Sequence, residues 1–130
     1  MKFQIKTRLT PQHLKTAFDL LQTTHWGHLI DAKKFKTQNQ HTTTYGIFAG
    51  TTMVGFFRLV TDGAFFCYLM DLVVDPPYRQ RGAATLALNY IEEKYPACKI
   101  LLKSSQAQSF YLSKGYKTIA KKDNYFIKVG

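Results

Sequence analysis

The clearest candidate for chemistry is the point where an apolar run gives way to small and basic residues. This stretch is YLMDLVVDPPYRQRGAATL, residues 68–86. The run ends at two prolines, and Gly82, Ala83 and Ala84 then begin a segment with the apolar spacing of an amphipathic helix. A helix start attracts anions because its first amides lack acceptors and its dipole is positive there. Small side chains let a phosphate approach that backbone, and Arg79 and Arg81 add charge. Residues 79–85, called the cradle below, are therefore predicted to bind a pyrophosphate.

The cradle resembles the acyl-CoA-binding motif of the GNAT N-acetyltransferase superfamily, written Q/R-x-x-G-x-G/A. The sequence RQRGAA at positions 79–84 satisfies each fixed position of that motif. A second stretch, SSQAQSFYLSKGY at positions 104–116, is similar to the superfamily's later motif of an Asn, an Ala, an apolar-Tyr pair and a Gly-aromatic pair. The resemblance covers nearly the whole chain. It implies acetyl-CoA as co-substrate, a primary amine of a small molecule, peptide or protein as acceptor, and direct attack in a ternary complex.

The resemblance also implies which residues hold acetyl-CoA. In the superfamily, the strand before the cradle and the strand after its helix splay apart, so backbone groups become free to pair with the pantetheine amides. Ser104 stands where the family often has Asn, and it still offers a hydroxyl. The expected cofactor-binding residues are Leu72, Val73, Val74, Arg79, Gln80, Arg81, Gly82, Ala83, Ala84, Thr85 and Ser104.

Tyr111 is the residue that the resemblance assigns as general acid toward the CoA sulfur. A phenol with an ordinary pKa of about 10 lies within a unit or two of a thiol at about 8.5, so proton transfer to the nascent thiolate is feasible. The alternative is that Tyr111 is one of eight tyrosines and packs in the core with Phe110.

The acceptor side offers Asp71 and Trp26. Some related polyamine acetyltransferases have an acidic pair where this chain has Met70 and Asp71, so only the second acid is present. Asp71 is expected either to orient or deprotonate an amine, or to be a buried structural acid paired with Arg58 or with backbone amides. Trp26, the single tryptophan, either lines the acceptor pocket or anchors its loop to the core.

Two other patterns match known binding motifs only in part. His25 and His28 have a possible ligand spacing, but no second pair of Cys or His completes a zinc site, and no metal is expected. Gly50 and Gly55 match a P-loop spacing, yet Phe56 stands where that motif requires Lys. These residues are interpreted as loop and hairpin positions.

Composition favours one globular domain over residues 1–130. Hydrophobic residues make up 45% of the chain, and no apolar run approaches the roughly 20 residues that span a bilayer. The N-terminus lacks a signal-peptide pattern, so a cytoplasmic location without membrane partners is expected, and a homodimer stays open. Cys67 and Cys98 are expected to be free thiols.

The net charge of +10 leaves a second class of function open, a basic nucleic-acid-binding module without catalysis. The sequence has no recognisable nucleic-acid-reading motif and no basic helix stripe, so this class is the weaker prediction. A polyanionic cofactor such as CoA accounts for the basic pair in the cradle.

Periodicity and turn residues predict the order β-α-α-β-β-β-α-β-α-β-β. Residues 3–9 alternate as a strand, a helix starts at Thr10-Pro11, and a second, shorter helix is predicted from residue 29 to about residue 37. Three strands in a meander follow at 43–49, 53–60 and 64–74, and then come the cradle helix, a strand at 99–103 and a helix at 106–114. Residues 116–120 and 125–129 are predicted to form a closing hairpin. The fold class is therefore α/β (α+β), and the resemblance implies the GNAT acyl-CoA N-acyltransferase fold, with a mixed sheet of about seven strands and about four helices.

Overall fold

A mixed five-stranded sheet with helices on both faces forms the framework. The computed structural model describes residues 2–130, except the side chain of His28. The strands are β1 (Gln4–Lys6), β2 (Thr43–Ala49), β3 (Thr52–Thr61), β4 (Phe66–Val74) and β5 (Lys99–Leu101). The helices are α1 (Pro11–Leu21), α2 (Ala32–Gln40), α3 (Ala83–Lys94) and α4 (Gln108–Ser113). Short 3-10 turns cover Gly27–Leu29, Pro76–Tyr78 and Lys122–Asn124.

The first helix begins where the sequence predicts. The Thr10 hydroxyl accepts a hydrogen bond from the His13 amide, and the His13 ring accepts one from the Thr10 amide, which together form a capping box. Pro11 takes the first helical position, where a missing N–H costs nothing. The predicted second helix is displaced, because Asp31 caps α2 through the Lys34 amide and α2 therefore starts at Ala32.

Strands β1 to β4 form an antiparallel meander, and β5 joins β4 in parallel. A parallel neighbour needs a crossover, which α3 supplies between β4 and β5. The sheet order is therefore the chain order, and the end of β4 leads directly into the cradle.

Each face of the sheet has its own apolar core. On one face, Tyr45, Phe57 and Leu69 pack with Ala87 and Ile91 of α3. On the other face, residues of α1 and α2 pack against the opposite side of β2, β3 and β4; these include Leu21, Phe35, Phe48, Phe56 and Val73. Strands β3 and β4 are thus covered on both sides, which fixes the position of β4 and of the cleft that it borders.

The predicted closing hairpin is wrong. Residues 116–120 and 125–129 form no strand, and Phe126, Ile127 and Val129 are 84 to 92% exposed. A hairpin is marginal unless one of its faces is buried, and β5 at the sheet edge has only three residues. The structure therefore has five strands rather than about seven.

The remaining architecture confirms the predicted fold class. The order of elements from β1 to α4 matches the prediction, and the sheet is mixed and flanked by four α-helices. Within residues 2–130, no helix has both the length and the apolar character needed to cross a membrane.

Candidate active site

A cleft opens where β4 and β5 separate. Their pairing covers Phe66 to Tyr68 on β4 and ends at the pair Tyr68 and Leu101, whereas β4 continues to Val74. From Leu69 onward, β4 therefore has no β5 residue opposite it. Leu72, Val73 and Val74 lie in this unpaired stretch and line the cleft, as the resemblance implies for groups that pair with pantetheine.

On its other side, β4 bulges at the centre of the same stretch. The register with β3 shifts between Phe56 and Arg58, so Asp71 and Leu72 together lie opposite Phe57. Asp71 has a φ of 59°, in the left-handed region that non-glycine residues seldom adopt. Such a bulge leaves backbone groups outside the ladder and turns them aside.

A buried ion pair holds this bulge. Arg58 donates from Nε to Oδ2 of Asp71, and the Gln38 amide of α2 donates to the same oxygen over 3.0 Å. The Arg58 and Asp71 side chains are only 7% and 8% exposed. The predicted alternative of Asp71 as a structural acid paired with Arg58 thus has its partner in place. Both hydrogen bonds end on Oδ2, and Asp71 also lines the cleft.

The cradle has free amides and an open approach. The first backbone bond into α3 runs from the Leu86 amide to the Gly82 carbonyl, so the amides of Ala83, Ala84 and Thr85 have no acceptor within the helix. Gly82 caps α3 at a φ of 94°, and a Cβ there would meet no atom within 4 Å. Gln80 is also left-handed, at a φ of 61°. This geometry fits a phosphate group approaching the backbone.

Charge at the cradle comes mainly from Arg79. Its Nε donates to the Val74 carbonyl over 2.9 Å, which ties the side chain to the end of β4 beside the cradle amides. Arg81 was expected to contribute in the same way, but it is exposed and is not among the residues that line the cleft.

Tyr111 lies across the cleft on α4. Its ring makes edge contacts with Phe110 at 5.2 Å and with Tyr116 at 5.8 Å between centroids. Burial raises the pKa of Tyr111 above its ordinary value, so the phenol keeps its proton at neutral pH. Tyr111 therefore packs against the core, as one of the two predicted alternatives has it, and it also lines the cleft.

Two loops meet at the wall of the cleft. Oγ of Ser105 lies 3.5 Å from Nε2 of His25, which links the loop after β5 to the loop after α1. The Ser104 hydroxyl accepts a hydrogen bond from the Ala107 amide at 3.1 Å, and its own proton remains available. Trp26 lines the cleft and packs against the core beneath α1 and α2.

The cleft has a volume of about 1130 Å³, which exceeds that of most single-ligand pockets. All the predicted site residues except Arg81 line it: Trp26, Asp71, Leu72, Val73, Val74, Arg79, Gln80, Gly82, Ala83, Ala84, Thr85, Ser104 and Tyr111. The sequence therefore predicts a set of residues that the fold brings together from five segments.

Several lining residues were not predicted. Tyr68 and Met70 precede the bulge on β4, and Thr23 and Lys103 lie in the flanking loops. Gln38, which holds Asp71, lies 33 residues away from it in the chain, and no motif marks it. The one available signal was the alternation along β4, which places Tyr68 and Met70 on one face.

The described residues contain no group of three or more His, Cys, Asp or Glu side chains that could hold a metal ion. His25 contacts Ser105 instead, and the side chain of His28 lies outside the described part. Cys67 and Cys98 are both free thiols.

Comparison with known proteins yields one family. The family model of the acetyltransferase (GNAT) domain matches residues 7–126. No curated protein sequence gives a significant match. A solved structure of a GNAT-family protein from Xanthomonas campestris pv. campestris is 21% identical, covers 100% of this chain and 94% of its own, and has a TM-score of 0.84.

Two further solved structures share the fold. A GNAT-family acetyltransferase from Streptococcus pneumoniae TIGR4 is 20% identical, with 99% and 97% of the two chains covered and a TM-score of 0.78. The structure of AAC(6')-Iy in complex with the bisubstrate analogue CoA-S-monomethyl-acetylneamine is 16% identical, with 100% and 99% covered and a TM-score of 0.73. Since the family model matches most of the chain, this protein belongs to the GNAT acetyltransferases.

Proposed function

We propose that the protein transfers an acetyl group from acetyl-CoA to a primary amine by direct attack within a ternary complex. The observation that carries the proposal is the meeting of the free cradle amides with the unpaired stretch of β4 in a single cleft. One feature suits a pyrophosphate and the other suits an extended amide chain, and CoA contains both groups. Acetyl-CoA would supply the thioester carbonyl that the amine attacks.

Different segments that line the cleft bind different parts of acetyl-CoA. The cradle amides and Arg79 bind phosphate, and the backbone of Leu72, Val73 and Val74 pairs with the pantetheine arm. A backbone amide of this same segment faces the thioester oxygen and stabilises the negative charge that develops on it. The bulge leaves Asp71 and Leu72 outside the ladder with β3, whereas Val73 and Val74 stay paired with β3 and have no β5 residue opposite them, so their other edge is available for this role.

Tyr111 acts as the general acid. As the new C–N bond forms and the C–S bond breaks, its phenol gives a proton to the departing sulfur. The attacking nitrogen loses its extra proton to solvent, and solvent reprotonates the phenolate afterwards. Its raised pKa keeps the phenol protonated throughout the neutral range.

Asp71 acts on the acceptor side by positioning. Oδ2 is occupied by Arg58 and Gln38, which fixes the carboxylate at the cleft wall and leaves Oδ1 to accept a hydrogen bond from the incoming amine. Trp26 provides an apolar wall for that amine. The two substrates fit together because the cleft is larger than most single-ligand pockets.

A binding experiment separates this function from nucleic-acid binding. Acetyl-CoA at about 100 times its dissociation constant should stabilise the protein by about 2.7 kcal/mol and raise its melting temperature. Duplex DNA should give at most a small rise that disappears at moderate salt, because contacts to phosphate alone depend steeply on ionic strength. Stabilisation by DNA that survives salt, without any by acetyl-CoA, would favour the nucleic-acid module.

A further inference from the structure

The charges that line the cleft limit which class of acceptor amine it can bind. Among the described residues that line the cleft, Asp71 provides the single carboxylate. Its charge is compensated by the guanidinium of Arg58, and one of its oxygens already receives two hydrogen bonds. Only Oδ1 of Asp71 is left to accept a hydrogen bond, and it can bind one amine.

The other acids of the chain are used elsewhere or lie outside the cleft. Asp31 caps α2, Asp62 accepts three backbone amides in the turn before β4, and Asp19 pairs with Lys15. The remaining four are Asp75, Glu92, Glu93 and Asp123, and none of them lines the cleft. A second ammonium on an acceptor would therefore meet no free carboxylate.

Positive groups face the cleft instead. Lys103 lines it and, unlike Arg79, has no proposed role in binding the CoA phosphate, and the whole chain carries a net charge of +10. Hydroxyl and aromatic groups complete the acceptor side, chiefly Thr23, Trp26 and Tyr68. Such surroundings raise the concentration of anions and oppose the entry of cations.

The same field assists the chemistry. An amine attacks only when it is neutral, and nearby positive charge lowers the pKa of an ammonium. A positive cleft therefore favours the reactive form of the amine without a dedicated general base. A polycationic acceptor would bind less well in the same field, because its other ammonium groups have no carboxylate partner.

We propose that the acceptor of this enzyme carries no positive charge other than its reacting amine. This inference rests on the proposed acetyl transfer and names the class of acceptor, a neutral or anionic primary amine. Polyamines and other oligocationic amines are excluded by it.

The test uses three amines of equal length that differ only at the far end: 1,5-diaminopentane, 5-aminopentan-1-ol and 5-aminopentanoate. CoA release is measured with each at low and high salt. We expect kcat/KM for the diamine to be at least about tenfold below that of the better of the other two, because it adds one uncompensated charge. The difference should shrink at high salt.

A charge-reversal variant checks the origin of the preference. Lys103→Glu should raise kcat/KM for the diamine and lower it for the aminopentanoate by about threefold or more each. Lys117→Glu makes the same change at an exposed lysine outside the cleft lining and should leave the order unchanged. Equal or faster turnover of the diamine by the unmodified enzyme would overturn the inference. Turnover of none of the three, together with no stabilisation by acetyl-CoA, would contradict the proposed function itself.

Discussion

At the scale of single residues, Tyr111 and Asp71 have structural contacts in addition to the chemical roles that we propose for them. Tyr111 packs against Phe110 and Tyr116 and also lines the cleft. Asp71 is locked by Arg58 and Gln38 and also lines the cleft. A substitution at either position can therefore alter stability, catalysis or both, and the experiment must measure the two separately.

For Tyr111, replacement by Phe removes the proton donor and keeps the ring. We expect kcat to fall by about ten- to a thousandfold while acetyl-CoA affinity stays the same, because the hydroxyl matters only as charge develops on sulfur. Affinity by calorimetry and turnover under saturating conditions check this on one preparation. Turnover unchanged within about twofold, with chemistry limiting the rate, would make Tyr111 a packing residue.

The pH profile offers a second check on Tyr111. A general acid must be protonated, and burial raises the pKa of Tyr111 above the ordinary value of about 10. Loss of turnover caused by its ionisation should therefore occur at a higher pH than an ordinary tyrosine would give. The Tyr111→Phe enzyme should lack that alkaline loss. A wild-type decline near pH 8 that disappears in Tyr111→Phe would contradict the account.

For Asp71, replacement by Asn leaves Arg58 buried beside an uncharged group. We expect the free energy of unfolding to fall by about 3–5 kcal/mol, as is typical when one partner of a buried pair is removed. In the folded fraction, the KM for the acceptor should rise or kcat should fall, with acetyl-CoA affinity nearly unchanged.

The matched control for Asp71→Asn is Asp19→Asn, which breaks the exposed Lys15–Asp19 pair. It should lower the free energy of unfolding by no more than about 1 kcal/mol. If the Asp71→Asn enzyme is destabilised but its folded fraction has normal acceptor kinetics, Asp71 is structural only.

At the scale of elements, the packing of α4 and the turn after it carries a buried polar group. The hydroxyl of Tyr116 is buried and has no hydrogen-bond partner within the described residues. Burial, with a contribution from the charge of Glu92, raises the pKa of Tyr116 to about 12. The folded state thus holds this proton at a higher pH than the unfolded chain does.

The sign of the pH effect follows from that difference. Because the folded pKa is the higher one, the contribution of Tyr116 is complete below about pH 10 and is lost as the pH rises toward about 12. Tyr116→Phe should flatten the loss of stability in this window and leave the protein at least as stable at pH 7, since an unpaired hydroxyl is removed. Urea unfolding at pH 7, 9 and 11 measures both effects. Tyr125→Phe, at an exposed tyrosine, is the control, and an equal change in both variants would contradict the assignment.

The sequence predicted secondary-structure elements well where residues within one turn determine where the element begins. Thr10-Pro11 predicts the start of α1, and Gly82 with its neighbours predicts the start of α3, because caps and small residues act within one turn. The closing hairpin failed because alternation at 125–129 predicts a strand without showing what it would pair with. The left-handed φ of Asp71 could not be predicted from the sequence either, since it depends on the register between β3 and β4.

At the scale of the whole molecule, two sets of backbone groups define the site, and they lie on either side of the β4–α3 connection. Thirteen of the fourteen predicted site residues line the cleft, because motif positions carry the fold's geometry with them. The network of Gln38, Arg58 and Asp71 required three-dimensional information, since its members come from α2, β3 and β4. The charge of the cleft depends on the same network.

The central claim is that acetyl-CoA binds at the cradle, and a titration of three proteins tests it most directly. Gly82→Glu places a carboxylate where a phosphate should approach, at a left-handed position that also strains the new side chain by about 1–3 kcal/mol. Gly50→Glu creates similar strain in the turn between β2 and β3, where a Cβ likewise meets no atom within 4 Å. Calorimetry at a temperature where all three proteins are folded should show normal acetyl-CoA affinity for the wild type and Gly50→Glu, and no detectable binding for Gly82→Glu. Unchanged affinity in folded Gly82→Glu would contradict the account.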